Sequence, residues 1–239
     1  MTTSTEPETR AVAVYCGSSI GKRTAYAKAA VSVGTALAKN NRPLVYGGGN
    51  HGLMGVVSRA AIDNGGHVTG VIPFPMVEGG GEGDKSSAPP GEKRLVQSHS
   101  DTKNRRTILV GSMHERKVEM AKRSCAFVGL PGGFGTFEEV FEVTTWTQIG
   151  IHDKPVVLLN VCSYYDPIRN MIQRAIDDGF IQSYNDRLII LVDGPQDLEQ
   201  HEDYDWGSAA LKAVESWRKG EGKPIFTWTG RMNGNLTLS

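Results

Sequence analysis

Two stretches of the chain carry side chains that could act on an anionic substrate. In Met113-His114-Glu115-Arg116-Lys117-Val118-Glu119-Met120, helical spacing sets Met113, Arg116, Lys117 and Met120 on one face. If that face packs inward, its two cations need an anionic partner, because an unpaired buried charge is far too costly. A bound phosphate or a carboxylate would serve; alternatively the stems lie over apolar surface with their heads in water. In Pro131-Gly132-Gly133-Phe134-Gly135-Thr136-Phe137-Glu138-Glu139, two acids follow a glycine-rich turn. Glu139 is at helical spacing from Val143 and Trp146, so its face is partly apolar, whereas Glu138 points about 100° away. A carboxylate against apolar groups tends to a pKa above its ordinary value of about 4.3, as a catalytic acid or base requires. At a helix N-terminus the same acids also have the ordinary role of complementing the dipole.

Glycine is the compositional outlier: 29 of 239 residues, about 12%, against roughly 7% in an average protein. Ten of these fall in three turns, Cys16–Gly21, Gly47–Gly55 and Pro131–Glu139, each leading from a strand towards a helix. Glycine lets backbone N–H groups approach an anion, and the helix start adds partial positive charge. One such turn is most simply a tight connection; three at one sheet edge point to a phosphate. Gly47, Gly49 and Gly52 also match G-x-G-x-x-G, yet the next strand ends in Ile72-Pro73-Phe74 where a dinucleotide site expects an acid. No turn is followed by Lys-Ser or Lys-Thr, so a P-loop is not indicated. His51, His114 and the remaining histidines show no metal-ligand spacing, and no metal is expected.

The elements that must position these residues alternate. Ala11–Cys16, Leu44–Tyr46, Val68–Ile72, Thr107–Val110, Ala126–Leu130, Val156–Asn160 and Leu188–Val192 read as strands. Thr24–Asn40, Leu53–Asp63, Met113–Arg123, Phe137–Gln148, Pro167–Asp178 and Ser208–Trp217 read as helices. Such alternation predicts a Rossmann-like, doubly wound, mostly parallel sheet with helices on both faces, in one α/β domain over residues 11–220. Residues 1–10 and 221–239 are expected to be tails. The segment Glu78–Arg94, rich in Gly and Pro, is expected to be a mobile loop.

With 26 Lys+Arg against 26 Asp+Glu, the formal charge is zero, which argues against a nucleic-acid polymer as partner. The neutrality conceals a basic stretch at Asp101–Arg123 and an acidic one at Asp193–Trp206. No apolar run reaches membrane-spanning length, and the polar first ten residues lack a leader pattern, so a cytoplasmic protein with no membrane contact is expected. Cys16, Cys125 and Cys162 read as reduced core thiols.

Together, CGSS, VYGGGNHGLMG, SMHERKVEM, PGGFGTFEEV and TWTQIGIHDKPVVLLN resemble the Lonely Guy family of cytokinin-activating phosphoribohydrolases over about Ala11 to Asp193. The specific motifs are M-x-x-R-K, met by Met113, Arg116 and Lys117, and P-G-G-x-G-T-x-x-E, met by Pro131 to Glu139. The resemblance implies hydrolysis of the N-glycosidic bond of N6-substituted adenine nucleoside 5′-monophosphates, without a cofactor. It implies Glu139 and Arg116 as catalytic residues, and Lys117 with Gly132, Gly133, Phe134, Gly135 and Thr136 around the phosphate. Ser18, Gly48, Met113, Glu138 and Thr145 are implied as further substrate contacts, and a homodimer or higher homo-oligomer as the assembly. The Glu78–Arg94 segment departs from the family's usual connection, leaving open which of Glu78, Glu82 or Glu92 meets the nucleotide. A noncatalytic nucleotide carrier or sensor and an AMP nucleosidase-type salvage enzyme are the alternatives. The family is often called lysine decarboxylase, but no lysine here has a recognisable pyridoxal phosphate setting.

Overall fold

The structure, a computed structural model, describes residues 10–78, 103–218 and 226. Short apolar runs form the strands: β1 (Val12–Tyr15), β2 (Leu44–Tyr46), β3 (Val68–Pro73), β4 (Arg105–Val110), β5 (Ala126–Gly129), β6 (Val156–Leu159) and β7 (Ile189–Val192). Every residue of β1, β2, β5 and β6 is buried, the pattern of strands covered on both faces. They pair in the order β4-β3-β2-β1-β5-β6-β7, and every pairing is parallel. The expected mostly parallel sheet is thus fully parallel, and the chain reverses its direction of travel between β1 and β5. That is the switch point at which open α/β sheets bind ligands.

Strand alternation sorts the core into two layers. Val12, Val14, Leu44 and Tyr46 face a layer that includes residues of α1 (Thr24–Lys39), α2 (Gly52–Asp63) and α7 (Trp206–Ser216). Ala13, Tyr15, Val45 and Phe127 face the other, with Met120 and Ala121 of α4 (Met113–Arg123) and Val140 and Val143 of α5 (Phe134–Ile149). The short α3 (Phe74–Glu78) follows β3, and α6 (Asp166–Asp177) flanks the second layer through the half-buried Ile168 and Ile172.

Several boundaries differ from the sequence reading. Helix α5 begins at Phe134 rather than Phe137, because Gly133 takes the N-cap position four residues after the end of β5. Glu138 and Glu139 therefore lie in its second turn, so the dipole role expected of them does not apply. Helix α3 and three 3-10 turns, Val161–Ser163, Ser183–Leu188 and Leu198–Glu202, were not legible. Cys16 is buried, while Cys125 and Cys162 are only partly so; all three are free thiols. Of the expected Glu78–Arg94 loop, Glu78 closes α3 and the rest lies outside the described residues, as do the expected tails apart from Arg10 and Phe226.

Candidate active site

The three glycine turns meet. The Gly17 N–H donates to the Pro131 carbonyl at 3.0 Å, and the Leu53 N–H donates to the Gly17 carbonyl at 3.0 Å. Gly52 has φ of 58° and lies so close to the first turn that a Cβ would stand 2.3 Å from the Ser18 backbone. The third turn is also tied from behind. The Tyr165 hydroxyl donates to the Leu130 carbonyl at 2.6 Å, and the Tyr164 hydroxyl donates to that of Gly132. Three successive carbonyls, Leu130 to Gly132, are thereby engaged. The first-turn amides of α5, at Phe134, Gly135 and Thr136, have no partner within the helix by its geometry, which suits an anion.

Helix α4 brings its cations to this place. Its start is fixed reciprocally: the Glu115 N–H donates to Ser112 Oγ at 3.1 Å, and the Gly111 N–H donates to Glu115 Oε2 at 2.6 Å. Arg116, one turn in, is 4% exposed. Its Nη2 donates to the Gly47 carbonyl at 3.0 Å, and its Nη1 lies 3.8 Å from Met76 Sδ and 3.7 Å from Met113 Sδ. A Cβ on residue 47 would fall 1.8 Å from that Nη2, so the guanidinium needs a glycine there. Lys117 turns to α5 instead, with Nζ 2.5 Å from Glu138 Oε1 and 2.9 Å from Glu142 Oε1. Burial pulls the Lys117 ammonium down, but its bonds to Glu138 and Glu142 outweigh this and hold its pKa above the ordinary value.

Between these elements lies a cavity of about 310 Å³, within the range of small-molecule sites. Of the residues expected at a site, Ser18, Met113, Arg116, Gly133, Phe134, Gly135, Thr136, Glu138 and Glu139 line it. Phe134, 91% exposed, stands at its rim. Four expected residues do not line it. Gly132 packs beside Thr136, where a Cβ would fall 2.1 Å from the Thr136 hydroxyl oxygen and 2.9 Å from the Gly17 nitrogen. Gly48, with φ of 83°, packs on Ile72 of β3. Lys117 is engaged with the two carboxylates, the second of the partners its spacing allowed. Thr145 lines a separate cavity of about 120 Å³ beside Phe141, Ile172 and Leu188.

Cys16, Gly17, Met54 and Met76 also line the larger cavity, and sequence reasoning did not single them out as contacts. Nor did it find Glu142, although its spacing four residues after Glu138 was available, or Tyr164 and Tyr165, whose partners lie more than 30 residues away. Tyr15 was missed too. It is 2% exposed at the end of β1, where burial and then the fields of Glu139 and Glu142 push its phenol well above the ordinary value, against a lowering by Arg116. It stays protonated beneath the α4–α5 seam. Among the described residues no group of side chains could hold a metal ion.

A protein-family model described as "Possible lysine decarboxylase" matches residues 54–201. A cytokinin riboside 5′-monophosphate phosphoribohydrolase of Arabidopsis thaliana is 44% identical over 84% of this chain and 86% of its own. A second from that plant is 48% identical over 75% of each chain. A probable enzyme of the same name from Oryza sativa subsp. japonica is 47% identical over 82% of this chain and 78% of its own. Among solved structures, a molybdenum cofactor binding protein from Rippkaea orientalis aligns with a TM-score of 0.56 at 15% identity, over 88% of this chain and 98% of that one. The molybdenum cofactor carrier protein of Chlamydomonas reinhardtii gives 0.53 at 20% identity, over 87% and 99%. At such identities the structural likeness speaks for the fold alone.

Proposed function

The chain belongs to the Lonely Guy family of cytokinin riboside 5′-monophosphate phosphoribohydrolases, and from that membership we propose that it hydrolyses the N-glycosidic bond of N6-substituted adenine nucleoside 5′-monophosphates. The products are the free base and ribose 5-phosphate. The observation that carries this reading is the meeting, in one cavity, of a buried Arg116, the carboxylates of Glu138 and Glu139, and the N-terminus of α5.

Each group has a task in that reaction. The α5 amides and the Gly17–Ser18 turn take the 5′-phosphate. The bond breaks through an oxocarbenium-like state, which the Glu139 carboxylate stabilises while it activates the attacking water. Arg116, held by Gly47, orients the nucleotide and polarises the departing base. Met54, Met76 and Met113 give the cavity an adaptable apolar wall. The decarboxylase description finds no support here. Among the described residues no lysine lines the cavity, and Lys117 beside it is held protonated by two carboxylates, the opposite of what a Schiff-base lysine needs.

The test is incubation with isopentenyladenosine monophosphate, with AMP in parallel. Release of isopentenyladenine, reduced about 100-fold or more by Glu139→Gln, is expected. Saturable binding without release would instead make the protein a carrier, and equal turnover of AMP would make it a salvage enzyme.

The assembly we infer is a cytoplasmic homodimer. Helix α6 buries none of its residues fully, and Met171, Phe180 and Tyr184 on or near it are exposed. The three thiols are free, and among the described residues no helix is long and apolar enough to cross a membrane.

A further inference from the structure

Of the adjacent cations Arg116 and Lys117, only the first lines the cavity. Lys117, with 14% of its side chain exposed, bonds to Glu138 at 2.5 Å and to Glu142 at 2.9 Å. The two acids sit one helical turn apart on α5, so the ammonium of α4 spans them. They are not equivalent. Glu138 lines the cavity and its side chain is 53% exposed. Glu142 does not line it, its side chain is 21% exposed, and its Oε2 is buried with no hydrogen-bond partner among the described residues. For Glu142, Lys117 is therefore the compensating charge of a carboxylate drawn out of water.

We propose that Lys117 is a positioning residue: anchored by Glu142, it holds the Glu138 carboxylate at the cavity wall and acts on the nucleotide through Glu138, not by binding the phosphate. To reach a phosphate the ammonium would have to leave two charge-assisted bonds and abandon Glu142. The phosphate has another host in the N-terminus of α5. A carboxylate only accepts hydrogen bonds, so Glu138 suits a ribose hydroxyl or the attacking water. Its geometry, fixed from behind, sets how well that donor is aimed.

This inference rests on the hydrolase reading, and its test separates the two. Turnover of isopentenyladenosine monophosphate and inhibition by ribose 5-phosphate, which carries the phosphate and no base, are measured for the native chain, Lys117→Met, Lys117→Arg and Glu142→Gln. Absence of turnover in the native chain would defeat the hydrolase reading. If turnover is present, a positioning role lowers kcat about 10–100-fold in both Lys117→Met and Glu142→Gln and leaves the inhibition constant within about twofold. Lys117→Arg, which keeps the charge, restores most of the loss. Glu142→Gln keeps the volume of the side chain and leaves the cavity lining alone, so it remains informative if Lys117→Met does not fold. A phosphate-binding Lys117 predicts the reverse: weaker ribose 5-phosphate inhibition in Lys117→Met, and an unchanged kcat in Glu142→Gln because its release only frees the ammonium. Either of those results overturns the proposal.

Discussion

A single missing methyl group shapes the cavity. Gly47 ends no helix and has no left-handed backbone angle; what it supplies is space, since a Cβ would overlap Arg116 Nη2 at 1.8 Å. The clashing atom is the tip of a long side chain, which can move where backbone cannot. Gly47→Ala should therefore cost less than about 1 kcal/mol of stability while lowering kcat/KM about 100-fold, because the displaced guanidinium loses its aim. Parallel urea unfolding and steady-state assays check this; a loss of stability with activity intact would contradict it. At this scale the sequence was partly legible. Arg116 and Glu139 could be named because each belongs to a compact motif. The partner of Lys117 could not, because Glu138 and Glu142 lie 21 and 25 residues away on another helix, and spacing along one helix says nothing about the next.

Elements with a strong apolar pattern were legible and those built on local geometry were not. The strands appear as β-branched runs because both faces of the sheet are covered, while the start of α5 was misplaced because Gly133, Phe134 and Gly135 look like turn residues. That shift by three residues matters, since it puts Phe134 to Thr136 at the helix mouth and both acids one turn deeper. The connection from α5 to β6 has its own signature. His152 lies between the rings of Phe127 and Trp146, at centroid distances of 5.3 and 6.1 Å. Burial, reinforced by Lys154, lowers its pKa to about 4, so it is neutral when folded. An unfolded histidine, with an ordinary pKa near 6.5, binds its proton more readily between those values. The stabilisation is fully present above about pH 6.5 and is lost as the pH falls towards 4, to the order of 3 kcal/mol. Urea unfolding at pH 7.5 and 4.5 should show that loss, and His152→Gln should flatten it; an equal slope in the variant would sink the assignment.

For the whole molecule, the zero net charge hid an internal arrangement as well as a surface one. The Arg116–Lys117 pair of α4 is answered by acids of α5 and by the carbonyl of Gly47, so these two cations of the basic stretch are engaged inside the fold. Composition argues against a nucleic-acid polymer as partner but could not reveal that pairing. The glycine excess, by contrast, pointed correctly to three turns that touch one another, because a turn at a parallel strand's end must lie at one edge of the sheet. The uncovered side of α6 belongs to this scale as well. A homodimer predicts a sedimentation mass twice the 25.9 kDa of the chain, with Phe180→Glu shifting it towards the monomer. A monomeric native chain would refute that assembly.

The switch point between β1 and β5 also divides responsibility for the chemistry. Arg116 belongs to the length of chain that builds β1 to β4, Glu139 to the length that builds β5 to β7, and the Gly17–Pro131 bond and the Lys117 bridge join them. On the roles proposed for Arg116 and Glu139, neither portion holds a reactive pair by itself. On those roles, a chain severed in the short link between Arg123 and Ala126 would give two inert fragments whose activity returned only on reassociation, and turnover would report complete assembly.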